Sequence, residues 1–178
     1  MKSAGGRPAE GRLIRVVKES DMPQIAAIYD HYVRHTYITF EKLPPSPEQW
    51  HHKWLAAQGA NHPWMVGERA GRICGYATAS TFNPKPAYDP TVETSIYLHP
   101  ECLGEGLGRG LYERLLDEVA ARDFHTAVAG IALPNERSIM LHESLGFQAV
   151  GVFREVGHKL GAWRDVGWWQ RALSGSLT

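Results

Sequence analysis

Two cysteines among 178 residues, Cys74 and Cys102, are too few for a disulfide framework and lack metal-ligand spacing, which fits a reducing compartment. Charge of one sign is missing too: nineteen lysines and arginines balance nineteen aspartates and glutamates, so no net field draws the chain to nucleic acid or anionic lipid. No apolar run is long enough to span a membrane and no leader pattern is visible. The expectation is a cytoplasmic protein with a small-molecule partner and neither a nucleic-acid nor a membrane partner. Two phosphate-binding signatures are absent as well. There is no Gly-Lys-Ser/Thr, and G-x-G-x-x-G fails because its last position is Arg109 counted from Gly104 and Leu111 counted from Gly106. His31 and His35 have helical i, i+4 spacing, but no glutamate between them and no third ligand, so no metal is expected.

What is present reads as one α/β domain over residues 13–173, between a loose tail at 1–12 and a short one at 174–178. A β-branched run at 13–17 predicts a strand; Asp21 and Pro23 open a helix with Ile25, Ile28, Tyr29 and Tyr32 on one face. Ser46, Pro47 and Gln49 form a capping box for a second helix to about Ala57. WMVGER and ICGYATAS, joined by the turn AGR, predict an antiparallel pair that continues into TSIYL. Beyond a glycine-rich stretch, Leu107, Leu111, Leu115, Val119 and Ala120 recur at helical spacing, and TAVAGIAL follows as a strand parallel to TSIYL. A helix over 135–145 is ended by Gly146. Two last strands, 147–155 and 164–172, flank GHKLGAW.

The most informative segment is VETSIYLHPECLGEGLGRGLYERLL, residues 92–116, where glycines at 104, 106, 108 and 110 join a strand to a helix. Such a junction presents unpaired backbone N–H groups at the positive end of a helix dipole and lets an anionic ligand approach them. A diphosphate carrier other than a dinucleotide fits, and coenzyme A is the obvious one.

Residues 92–110 together with NERSIMLHESLGF at 135–147 resemble the acyl-CoA motifs of the GNAT superfamily of N-acetyltransferases. Gly157 to Gln170, the FNPKPAY run from Phe82, and Val92-Glu93 are similar to the phosphinothricin and methionine-sulfoximine acetyltransferase branch. The resemblance implies a mixed, mostly antiparallel twisted sheet of about six or seven strands with helices on both faces, and a homodimer in contact through the last strands. It implies acetyl-CoA as co-substrate, its diphosphate held by backbone amides of Gly104, Glu105, Gly106, Leu107, Gly108 and Arg109. The family's loop opens with Gln or Arg where this chain has Leu103, a departure that weakens a side-chain contact but leaves the amide cradle. Ile96, Tyr97 and Leu98 are implied as the backbone partners of the pantetheine arm, with Asn135 bonding the same arm.

Acyl transfer to an amine needs a base, because an alkyl ammonium is almost wholly protonated at neutral pH. The resemblance gives that role to Glu93. It places His142, seven residues after Asn135 where many relatives carry tyrosine, as a proton donor to the leaving thiolate or as a relay. Cys102 is read as packing and the transfer as direct, within a ternary complex. For the acceptor, Phe40, Asn83, Lys85, Thr94 and Ser95 are the expected pocket residues. Lysine keeps a charge but lacks the bidentate fork of the arginines common in relatives. Two alternatives stay open: another amine acceptor such as a polyamine, an aminoglycoside or a protein amino terminus, and a non-catalytic acyl-CoA-binding protein.

Overall fold

The computed structural model describes residues 12–104 and 106–173. The expected tails therefore lie outside the described residues, except for Arg12, which already belongs to the first strand. Seven strands are β1 (Arg12–Val16), β2 (Trp64–Arg69), β3 (Arg72–Thr81), β4 (Thr91–Leu98), β5 (Thr126–Ala132), β6 (Gln148–Lys159) and β7 (Ala162–Ala172). Four helices are α1 (Met22–His35), α2 (Pro47–Gly59), α3 (Leu107–Ala120) and α4 (Glu136–Ser144). One sheet takes the order β1-β2-β3-β4-β5-β7-β6, antiparallel throughout except for the parallel pair β4 and β5. This is the mixed sheet the sequence predicts.

Because both faces of the sheet are covered, its central strands are buried on both sides, as Trp64, Met65 and Val66 of β2 are. On one face Leu111, Leu115 and Val119 of α3 pack on Met65, Ala77 and Val92. Ala120, expected on that helix face, is exposed. On the other face Ile25, Ile28 and Tyr32 of α1 and Trp50 of α2 pack on Val66, Ile73 and Tyr76.

The capping box of α2 is formed as expected: Gln49 N donates to Ser46 Oγ at 3.2 Å and Ser46 N donates to Gln49 Oε1 at 2.7 Å. Asp21 behaves differently. Its side chain does not cap α1; it turns back to accept from Lys18 N at 2.7 Å and, through both oxygens, from Arg15 of β1 at 2.7 and 2.8 Å. Burial opposes its charge, but the bonds from Arg15 and Lys18 outweigh burial and hold the carboxyl below its ordinary value. A carboxyl with a lowered folded pKa stabilises the fold above the ordinary carboxylate range, and that contribution is lost as pH falls through the folded value. Asp21→Ala should accordingly lower the unfolding free energy by about 2–3 kcal/mol in urea titrations near neutral pH. The gap to the wild type should close in acid.

The last hairpin corrects the expected loop GHKLGAW. β6 and β7 run on to Lys159 and Ala162, leaving the two-residue turn Leu160-Gly161 with φ of 52° and 74°. Gly157, the first residue of the expected loop, lies within β6, where a Cβ would collide with the Phe40 ring. The cysteine expectation is corrected too. Cys74 of β3 and Cys102, with Cα atoms 5.7 Å apart, are joined as a disulfide, buried with Leu107 and Ile14 beneath the start of α3.

Candidate active site

β4 and β5 pair only over Thr91↔Thr126, Val92↔Ala127 and Glu93↔Val128, after which they part. β5 goes on pairing with β7 as far as Ala132↔Val166, so the edge of β4 from Thr94 to Leu98 has no strand beside it. The result is a wedge-shaped slot, about 40 Å³, between Thr94 to Tyr97 on one side and Gly130 to Ala132 on the other. Asn135, Ser138 and His142 close it from one face of the sheet, and Ile38 from the other. Ile96, Tyr97 and Leu98 thus lie on the open edge, as expected, although the Leu98 carbonyl already accepts from the Tyr32 hydroxyl at 2.6 Å. Asn135 spends its carbonyl oxygen on capping α4, accepting from Ser138 N at 3.3 Å, which leaves its NH₂ as the free donor.

Beyond the open edge of β4, around the start of α3, the four glycines divide into two kinds. Gly104 and Gly106 adopt φ of 81° and 77°, the left-handed region that side chains avoid, with open space where a Cβ would stand. Gly108 and Gly110 are packing glycines: added Cβ atoms would meet Leu98 Cδ1 at 2.9 Å and Ile14 Cδ1 at 3.4 Å. α3 starts at Leu107 with no side-chain cap and no acidic residue in its first turn, so its first amides have no capping side chain to satisfy them, an arrangement suited to a diphosphate. The Arg109 side chain is engaged elsewhere, by Glu113 at 2.9 Å and by Ser144 Oγ at 3.0 Å. Its amide is what it has to offer a diphosphate. Glu105 lies outside the described residues.

Glu93 occupies the last paired position at the apex. Period-two alternation puts it with Ser95 and Tyr97 on the α1/α2 face, while Val92, Thr94 and Ile96 face α3. Its carboxylate is half-buried with no ion-pair partner among the described residues, and burial raises its pKa. A carboxylate that holds a proton more firmly than usual is a better general base at neutral pH.

On the opposite face His142 is 3% exposed, with both ring nitrogens bound. Nδ1 lies 2.7 Å from the Ser138 carbonyl and Nε2 lies 3.0 Å from the Tyr112 hydroxyl. The Tyr112 hydroxyl in turn lies 2.7 Å from Thr94 Oγ1, which is 3.2 Å from the Val128 carbonyl. Burial lowers the pKa of His142, partly countered by the Ser138 carbonyl, and so favours the neutral ring. A carbonyl only accepts, which fixes the neutral tautomer: Nδ1 carries the hydrogen and Nε2 accepts from Tyr112. His142 therefore does not present a free nitrogen to the slot.

The expected acceptor residues are dispersed. Ser95 lines the slot and also a second cavity, about 450 Å³, on the Glu93 face. Thr94 faces α3 instead, its hydroxyl within hydrogen-bond distance of the Tyr112 hydroxyl and the Val128 carbonyl. Phe40 packs over Gly157. Asn83 accepts from the Lys85 amide at 3.1 Å within an exposed turn, and Lys85 points to solvent. None of these last three lines the slot or the larger cavity. The walls that sequence reasoning missed are aromatic: Tyr29, Trp50, Trp64 and Tyr76, with Lys53 and Ser80 nearer the mouth. Their helical and strand spacing signals burial, and only the packed fold shows that a cavity opens beside them. Among the described residues no group of three metal-ligating side chains occurs.

The profile of the acetyltransferase (GNAT) domain family matches residues 14–168. The chain belongs to this family. Like the GNAT acetyltransferases it is compared with, it spans nearly the full length of its relatives. A phosphinothricin N-acetyltransferase of Streptomyces coelicolor is 43% identical over 164 residues, 90% of this chain and 95% of its own. A methionine sulfoximine/methionine sulfone acetyltransferase of Salmonella typhimurium is 36% identical, over 90% of this chain and 94% of its own. The crystal structure of a phosphinothricin acetyltransferase from Sinorhizobium meliloti in complex with acetyl-CoA superimposes with a TM-score of 0.87 at 34% identity. The match covers 90% of this GNAT chain and 88% of that one.

Proposed function

We propose that this acetyltransferase moves an acetyl group from acetyl-CoA to the α-amine of a small amino acid or analogue of the phosphinothricin and methionine-sulfoximine type, by direct transfer in a ternary complex. The observation that carries this reading is the parting of β4 from β5 at Glu93. It sets a half-buried carboxylate one strand position before Thr94, where the slot begins, and leaves the open edge of β4 running on toward the uncapped first amides of α3. Amides of Gly104 and of 106–109 hold the diphosphate, with Glu105 bridging them in sequence. The free edge of Ile96 and Tyr97 and the Asn135 NH₂ align the arm, and this delivers the thioester to the apex. Glu93 takes the proton from the acceptor ammonium. A C–N bond forms as the C–S bond breaks, and the second proton shed by the nitrogen passes by the His142 side of the slot to the departing thiolate.

The 450 Å³ cavity is the place for the acceptor, because it shares Ser95 and Tyr97 with the slot. Its lining carries Lys53 and no carboxylate, Glu93 standing outside it on the same face of β4 two residues before Ser95, and this favours an anionic amino acid over a polyamine or aminoglycoside. Phe40, Asn83, Lys85 and Thr94 do not line this cavity and take no part in holding the acceptor in this reading. Coenzyme A release with a panel of amino acids and polyamines tests the assignment: methionine sulfoximine, its sulfone and phosphinothricin should turn over, and turnover of polyamines alone would overturn it.

Coenzyme A thioesters are intracellular, which supports a reaction in the cytoplasm. No helix among the described residues is long and apolar enough to cross a membrane. β6 exposes Val150, Val152, Phe153 and Val156, followed by Leu160 and Trp163 on the hairpin, an apolar strip that suits a second copy of the chain. Phe153→Glu should shift sedimentation from dimer to monomer while the slot stays intact.

A further inference from the structure

The buried chain that holds His142 has more contacts than protons. Besides a long contact of Ser138 Oγ to Nδ1 at 3.4 Å, its four contacts run from the Ser138 carbonyl to Nδ1, from Nε2 to the Tyr112 hydroxyl, from that hydroxyl to Thr94 Oγ1, and from Thr94 to the Val128 carbonyl. With His142 neutral, imidazole, phenol and hydroxyl have one hydrogen each, so one contact is unfilled. Nδ1–H is pinned by the Ser138 carbonyl; Tyr112 then donates to Nε2 and Thr94 donates to Tyr112. The unfilled contact is the one at Val128, beside the slot. Thr94 lines that slot and Tyr112 is fully buried behind it.

We propose that Thr94 and Tyr112 form a proton relay between the slot and His142. It rests on the reading of His142 as the proton partner of the transfer. A proton arriving on a free lone pair of Thr94 Oγ1 sends the threonine's own hydrogen to the Tyr112 oxygen, and the tyrosine hydrogen passes to Nε2. Each oxygen gains one hydrogen and gives one, and no oxidant or further reactant is needed. Afterwards all four contacts are filled: Nδ1–H on Ser138, Nε2–H on Tyr112, Tyr112 on Thr94, and Thr94 on the Val128 carbonyl. The reverse sequence returns a proton through Thr94 to the departing thiolate. This gives a histidine that reaches the slot with neither nitrogen a route for exchange. It also stabilises the charged ring, which burial alone disfavours.

The surroundings suit the task. The Tyr112 ring stacks on Phe147 at 5.8 Å and meets His142 edge-on at 4.9 Å, so removing its hydroxyl leaves its packing. From β7, Arg171 faces Tyr112 and offsets part of the effect of its burial. Glu143, next to His142 on α4, is turned to Trp169 Nε1 at 3.2 Å.

The test compares Thr94→Val, Thr94→Ser, Tyr112→Phe and His142→Gln in the full-length enzyme. Thr94→Val and Tyr112→Phe should each lower kcat by about 10- to 100-fold, with the KM for acetyl-CoA within about twofold of wild type. Thr94→Ser, which keeps the hydroxyl, should recover most of that loss. Combining Tyr112→Phe with His142→Gln should be no slower than the slower single variant. In nuclear magnetic resonance titrations the His142 ring should titrate at lower pH in Tyr112→Phe, because the charged ring loses the acceptor for Nε2–H. Normal kcat in both Thr94→Val and Tyr112→Phe beside a slow His142→Gln overturns the relay alone. A normal His142→Gln overturns the reading of His142 beneath it. Should Tyr112→Phe fold poorly, the contrast between valine and serine at 94 decides the matter.

Discussion

Glu93→Gln should lower kcat by about 10²- to 10³-fold, with acetyl-CoA affinity unchanged within about twofold. Glutamine keeps the shape and the hydrogen-bonding capacity but cannot accept the ammonium proton. The pH dependence follows from the raised pKa of Glu93. The wild-type rate falls as pH drops below that value, since a protonated base is idle; the variant should lack this limb. Stability should move the other way. Folding raises the pKa of this carboxyl, so the group favours the fold in acid and loses that contribution as pH rises through the folded value. At neutral pH the buried charge is therefore a burden, and the glutamine variant should melt at a higher temperature than the wild type. A merely structural glutamate predicts the opposite pairing, with unchanged chemistry and lower melting temperature. Differential scanning calorimetry beside steady-state kinetics separates the two.

Gly106→Val carries the second large effect. At φ of 77° an L-residue costs about 1–2 kcal/mol, and a β-branched one fits that region worst. There is nothing within 4 Å of the position a Cβ would take, so the core is untouched. What changes is the loop that aims the first amides of α3, and acetyl-CoA affinity should weaken by roughly tenfold or more. With donor at saturation, kcat should recover most of its wild-type value. Gly108→Ala is the control two residues on. Its Cβ would stand 2.9 Å from Leu98 Cδ1, so it should lower stability without a comparable loss of affinity. Isothermal titration with coenzyme A and urea unfolding read the two quantities independently.

The different fates of these glycines show how far the amino-acid pattern reached. Element type and order followed from periodicity and caps: Ser46 and Gln49 behave as their spacing predicts, and the parallel β4/β5 pair follows from the length of the crossover. Composition alone does not tell a glycine that bends the chain from one that lets two elements touch. Gly108 and Gly157 are of the second kind, and each is explained by a partner distant in sequence, Leu98 and Phe40. The same blindness explains Asp21, which has the right position for a helix cap but finds Arg15 on the neighbouring strand. It explains Cys74 and Cys102 too, 28 residues apart and adjacent in space.

For the site, motif spacing singled out Asn135, which lines the slot, Glu93, one strand position before the slot's first residue Thr94, and the 104–109 segment that leads into α3. It did not place the hydroxyls that surround His142. Tyr112 lies on the apolar stripe of α3 between Leu111 and Leu115, where its spacing reads as packing. Whether its oxygen reaches a histidine on α4 depends on the angle between two helices, which no local pattern encodes. Thr94 illustrates the same limit: one strand position from Glu93, it was expected in the acceptor pocket, yet the pleat turns it to the other face.

The central claim is that the gap opened between β4 and β5 receives the acyl carrier. A titration of the isotope-labelled protein with coenzyme A, followed in its backbone amide spectrum, tests this most directly. The largest shifts should fall on residues 94–98, on 104 and 106–109, and on 130–135. Saturable shifts clustered instead on β6 and β7, with residues 94–98 unmoved, would contradict it.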